Sequence, residues 1–470
     1  MRSNINDYRI RKSFSFAIRN AELDTNIAAD LLVTRALYCY IDEKFNVVRF
    51  KNNKLQETKI DFYAEDYKAS ATFKATGAGV DKFEDFYIAH ISGEKAFRNF
   101  FFSRGDDYRD DYVYFIFQPL ILALEKNPEY YYRLYPVVKI VNEEIVIVDF
   151  NYYPSDAPYS IDEFVSRVIR VGDKIKDLKL PATYCAAMGI EIEEEKGELF
   201  SFEDNESVVF NVNDLHIKDI FELSELFLSL LFKYQKYTWF GRTLISVDND
   251  KLSKEEIQLI KNGFQYEEVN ELYNDNIIDF SEHNTAKFYI FSHITITSGD
   301  ILNSYMPAAI IDEELAILNT KIIAYSKVEE NESLEDLLAS KKELHLLKQQ
   351  MTYKYGNVLM AHTIMDYAIN KLFKINDQIE RIDALLDISF QEKEYRKTEK
   401  EKIYEFLIGF VSVILSMSAI FEYIITPIYE IRYPNTSMSP VDTLLNYLIL
   451  IFLGTIILLV LLSFLKREKK

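Results

Sequence analysis

The sequence predicts an α+β body, then a long helical stalk, then a C-terminal two-helix transmembrane hairpin. Three observations carry this. Two apolar segments near the C-terminus, residues 403–425 and 444–465, are each long enough for a helix to cross about 30 Å of hydrocarbon. Between Ala308 and Thr426 there is no proline, and the glycines are Gly356 and Gly409. Before that, short β-branched and aromatic runs alternate with helical spacings. The expected divisions are a cytosolic sensor body at 1–330, with a possible subdivision near 155, a stalk at 331–402 and a membrane unit at 403–470.

Within the body, residues 112–117 (YVYFIF) read as a buried strand. Residues 137–150 read as a hairpin about Asn142, Glu143 and Glu144. Pro154 and Pro158 mark a break. Phe164, Val168, Val171 and Ile175 predict an amphipathic helix over 161–178. Strands are expected at 201–212, 241–247 and 288–297, and a helix at 215–234. After Pro307 the organisation turns helical.

From Asn357 one continuous helix is expected to enter the first span, at about 75 Å of rod. Leu372, Ile375, Ile379, Ile382 and Leu386 form a seam of heptad character that wants a partner helix. Residues 333–355 or a second chain would supply it. The charge run Gln391–Glu399 reads as a solvated face or as a wet vestibule above the membrane.

The chain has 470 residues and a net charge of −20, which argues against duplex nucleic acid as a partner. Its 2 cysteines allow no disulfide framework and fit a reducing compartment. Lys397, Lys400 and Lys402 precede the first span, and Lys466, Arg467, Lys469 and Lys470 follow the second. The positive-inside rule then puts both termini in the cytoplasm, as in a multi-pass protein of a bacterial inner membrane.

The first span is not uniformly apolar. Gly409, Ser412, Ser416 and Ala419 form one stripe of small residues, with Glu405 at one end and Tyr423 at the other. Such a stripe permits close helix packing or lines a water-filled path. Glu422 and Glu430 would sit at the outer mouth. A single hairpin encloses no channel, so a pore requires a closed ring of copies in the lipid bilayer.

This architecture resembles the CorA-type metal ion transporter superfamily: a cytosolic α/β domain, a long helix running into the first span, a short outer loop, and a second span with a basic tail. The resemblance implies a pentamer with the first span lining the pore. The family's Gly-Met-Asn signature is absent; Thr426-Pro427-Ile428-Tyr429-Glu430 stands in its place. Relatives without the motif occur as effectors of antiviral systems linked to type III CRISPR loci, whose bodies are thought to sense a nucleotide second messenger. The chain looks closer to that class.

No phosphate-binding glycine loop, zincin helix, nucleophile elbow or paired-cysteine site is present, and no enzyme is expected. Asp106, Asp107, Asp110 and Asp111 form an acidic loop or a regulatory site for a divalent cation such as Mg²⁺. Arg9, Arg11, Lys12 and Arg19, with Arg2, are the most basic segment. They are candidates for a small anionic nucleotide ligand, with Phe14 or Phe16 to stack on a base. Arg167 and Arg170 are weaker candidates. The leading expectation is an oligomeric channel or effector gated from the body. The alternatives are a divergent divalent cation transporter and a membrane-tethered binding module.

Overall fold

Residue alternation along Tyr8–Ala17 (β1) sets the plan of the body. Tyr8, Ile10, Phe14 and Phe16 alternate with Arg9, Arg11, Ser13 and Ser15, so one face of the strand is largely apolar and the other polar. The structure is a computed structural model. It describes most of residues 8–63 and 112–263, the strands between 277 and 297, residues 301–326, parts of 335–371, and nearly all of 374–467.

β1 lies at the centre of a sheet of 15 described strands. Asn127–Val141 (β2) pairs antiparallel with Ile145–Pro154 (β3), and β3 pairs antiparallel with β1. On its other side β1 pairs antiparallel with Thr238–Asp248 (β4), which runs parallel to Ser292–Thr297 (β5). Strands from both sides of residue 155 share this sheet.

The hairpin at 137–150 forms as the sequence predicts, with Val141 opposite Ile145 and Asn142 at φ +50. Strands also form at Tyr112–Phe117 and over the expected 241–247. The helix expected at 215–234 is Ile220–Leu231, started by the Asp219 side chain, which accepts from the Glu222 backbone N–H.

The helix expected at 161–178 is a correction. Helix Ile161–Phe164 passes into a π-helical turn, Val165–Ile169, and then a strand, Ile175–Pro181. Gly172 at φ +77 turns the chain between them.

One face of the sheet carries the main apolar core. Phe227 makes edge-on contacts with Phe117, Phe150 and Tyr184, at 4.9, 5.6 and 5.8 Å between ring centroids. The other face is covered by a 26-residue helix, Ile301–Ser326 (α1). Residues 308–320 of α1 are all buried, so this stretch of the helix is enclosed on every side. Pro307 does not precede this helix, as the sequence suggests; it lies in its second turn.

By contact density the chain forms two units, Met1–Lys327 with Ser340–Asp383, and Val328–Ala339 with Ala384–Lys470. The rod begins later than predicted, at Ile375, because Lys374 adopts the left-handed φ of +47. Ile379, Ile382 and Leu386 are buried, as the seam requires. In the first unit Leu344 is buried, and Lys341 forms an ion pair with Asp383 at 3.6 Å. Residues of the same chain thus flank the seam at Asp383; Leu372 and the Ile375 side chain lie outside the described residues.

Helix Ile375–Ile420 (α2) continues through a π-helical turn, Phe421–Ile425, into Thr426–Arg432 (α3). The expected loop at 426–432 is thus helical. Pro427 lacks an N–H and its ring would crowd the turn before it; the wider turn relieves this, and Thr426 Oγ1 bonds to the Phe421 carbonyl at 3.0 Å. This continuous helix is long and apolar enough to cross a membrane. It is followed by the helix Pro440–Arg467 (α4), of which Pro440–Ile456 is a shorter apolar stretch.

Candidate functional site

The polar face of β1 is buried under α1 as a layer of charge. Register aligns Val137, Asp149, Ser13 and Arg242 across β2, β3, β1 and β4. Asp149 pairs with Lys139 at 2.9 Å and Arg11 at 3.6 Å, and accepts a 2.5 Å hydrogen bond from Ser13 Oγ. From α1, Glu313 reaches the same two cations, Lys139 at 2.6 Å and Arg11 at 3.4 Å. Arg11 Nη2 also donates to the Ala309 carbonyl at 2.5 Å. A second pair, Arg242 with Asp312 at 2.6 Å, lies beside it.

These side chains are at most 2% exposed. Their mutual charges replace the lost hydration, so the layer is stable as a set and costly to break singly. Ser15 Oγ bonds Thr320 Oγ1 at 2.5 Å and extends the same seam.

This placement corrects part of the predicted anion site. Arg11 is neutralised by Asp149 and Glu313, so it is not presented to a ligand. Phe14 and Phe16 are 8% and 0% exposed in the core and offer no free ring face to a base. Arg167 lies 4.0 Å over the Tyr130 ring and pairs with Glu163 at 3.6 Å, and Arg170 Nε donates to the Gly263 carbonyl at 2.8 Å. Arg9 is partly buried. Arg2, Arg19, Asp106, Asp107, Asp110 and Asp111 lie outside the described residues. Among the described residues no cluster of three or more His, Cys, Asp or Glu is placed to hold a metal ion.

Lys12 lies on the opposite face of β1 and reaches Asp173 and the Gly172 carbonyl. Burial pushes its ammonium down to about 7, because Asp173 is itself 56% exposed and its charge is screened by water. The folded state therefore binds fewer protons than the unfolded chain between pH 7 and lysine's ordinary 10.5, and stability rises with pH across that window. Lys12→Met is expected to stabilise the protein most below pH 7, with the gain shrinking toward pH 10. Thermal unfolding of both proteins against pH checks this; a gain independent of pH would count against it.

The charge layer was not anticipated from the sequence, although a signal for it exists. Lys139 and Asp149 interrupt the apolar runs VVKIV and IVIVDF, and Asp312-Glu313-Glu314 interrupts AAIIDEELAIL. Charges at buried positions of three separate elements call for one another.

Along α2, two sets of residues point in different directions. Val413 and Met417 meet Gly454 of α4, where an added Cβ would lie 2.5 Å from Val413 Cγ1 and 3.2 Å from Met417 Cε. Ser418 Oγ lies 3.2 Å from Tyr447 OH, and the Phe421 and Tyr447 rings are 4.3 Å apart. The predicted stripe lies on other faces: Ser412, Ser416, Ala419 and Tyr423 are exposed, and Gly409 is half-buried. Ile408, Val411 and Leu415 share that exposure.

No family model, curated protein or solved structure matches this chain. Its chemistry is read from its own residues.

The stripe hydroxyls are satisfied within the helix. Ser412 Oγ donates to the Ile408 carbonyl and Ser416 Oγ to the Ser412 carbonyl, both at 2.8 Å. Their remaining lone pairs face outward. Glu405, Glu422 and Glu430 are exposed on the same continuous helix.

Proposed function

We propose that the chain is an oligomeric membrane channel or effector gated from its sheet-rich body, with α2 lining the path. One observation carries this reading. The small-residue stripe is not spent on packing α2 against α4; Val413, Met417, Ser418 and Phe421 do that. Ser412, Ser416 and Ala419 stay open to a further neighbour or to water.

A closed ring of copies supplies both, placing the stripes about an axis and leaving Ile408, Val411 and Leu415 toward lipid or the next copy. Glu405 and Glu422 then form acidic collars that attract cations. Two spans with both termini cytoplasmic follow from the lysine and arginine distribution. The resemblance to the CorA-type superfamily supports the reading, with a pentamer as the expected ring and antiviral defence as the setting.

Flux through liposomes tests it. Ser412→Leu or Ser416→Leu is expected to cut ion flux at least severalfold while leaving the oligomer intact on size-exclusion chromatography. A strictly monomeric protein, or unchanged flux in both variants, overturns the pore. Rescue of a magnesium-starved host would favour divalent cation transport.

A further inference from the structure

We infer that the body contains a buried oxyanion site under the first two turns of α1, formed by Ser246 and Thr295 and fitted to a phosphate-class group. Ser246 is 0% and Thr295 7% exposed, and neither Ser246 Oγ nor Thr295 Oγ1 has a hydrogen-bond partner. Buried hydroxyls are almost always paired, so two adjacent ones without partners call for an occupant. They are neighbours in register on the parallel pair β4 and β5, and Arg9 of β1 is the register partner of Ser246.

Packing places them under α1. Arg242 meets Asp312, and two residues further along β4, Leu244 packs with Ala308 and Ala309. Each two-residue step on a strand is about 6.6 Å, and each helical turn is about 5.4 Å. The next step, Ser246, therefore falls below roughly residue 305, one turn from the start of α1. The backbone N–H groups of the first turn have no intrahelical acceptor, and the helix dipole is positive at that end. Two hydroxyl donors near a helix N-terminus form a set that suits an oxyanion better than a cation.

The test uses the full chain in detergent, with unfolding followed by the emission of Trp239, its one tryptophan. Inorganic phosphate is expected to raise Tm against chloride at equal ionic strength. The rise should vanish in the double variant Ser246→Ala, Thr295→Val, whose own Tm without phosphate is unchanged or higher because unpaired groups are removed. Phenyl phosphate serves as a second probe. A larger rise than with phosphate assigns the site to the phosphoryl group of a bigger ligand, and a smaller one assigns it to the free ion. No rise with either probe means water or nothing fills the site, and an equal rise in the double variant means an adventitious ion; both overturn the proposal. These readouts do not involve conduction, so the site and the channel stand or fall separately.

Discussion

Glu313→Ala is expected to lower the stability of the body by about 3–5 kcal/mol. Glu313 lies on α1 yet contacts Lys139 of β2 and Arg11 of β1. Without it, two buried cations are left with Asp149 as their shared carboxylate among the pairs described above. The penalty is that of an uncompensated charge in a poorly hydrated interior, which far exceeds the worth of an exposed ion pair. Glu313→Gln should be nearly as damaging, because it keeps the volume and loses the charge. Denaturant unfolding followed by Trp239 emission measures both. Trp239 is 45% exposed and its ring lies 4.2 Å from the Phe221 ring, tilted by 35°, so its signal reports the body. A loss below about 1 kcal/mol, the range of surface pairs, would show that water reaches the layer.

Gly454→Ala is expected to destabilise the contact between α2 and α4 by about 1–3 kcal/mol. The new methyl would sit 2.5 Å from Val413 Cγ1, and a β-branched side chain on a helix has little freedom to move aside. Val413→Ala in the same chain should restore most of the loss, since it removes the atom in conflict. Thermal unfolding in detergent of the wild type, the two single variants and the double variant provides the check. A neutral Gly454→Ala, or a double variant no better than the single, would mean that the two helices do not pack through this glycine. In that case the contrast between the packed residues and the exposed stripe loses its force.

Much of the plan is legible in the sequence because it depends on local pattern. The 137–150 hairpin follows from two β-branched runs about a polar turn. The seam residues Ile379, Ile382 and Leu386 follow from their three-and-four spacing. Where reading failed, a local signal was outvoted. The spacing of Phe164, Val168, Val171 and Ile175 fits a helix, but Gly172 reverses the chain and Ile175 joins a strand. Pro427 reads as part of the outer loop, yet a π-helical turn carries the helix on through it. Arg11 read as a ligand group because its charge is anomalous in an acidic chain. The residues that answer that charge lie 138 and 302 positions away, at Asp149 and Glu313.

The sequence alone settled a helix long and apolar enough to cross a membrane and the alternation of β1, since hydropathy over some twenty residues and a period of two are properties of the chain itself. Tertiary structure decided which charges are spent on one another and which face of α2 is left open. Both are outcomes of packing between elements distant in sequence, and no local period records which partner a buried group will find.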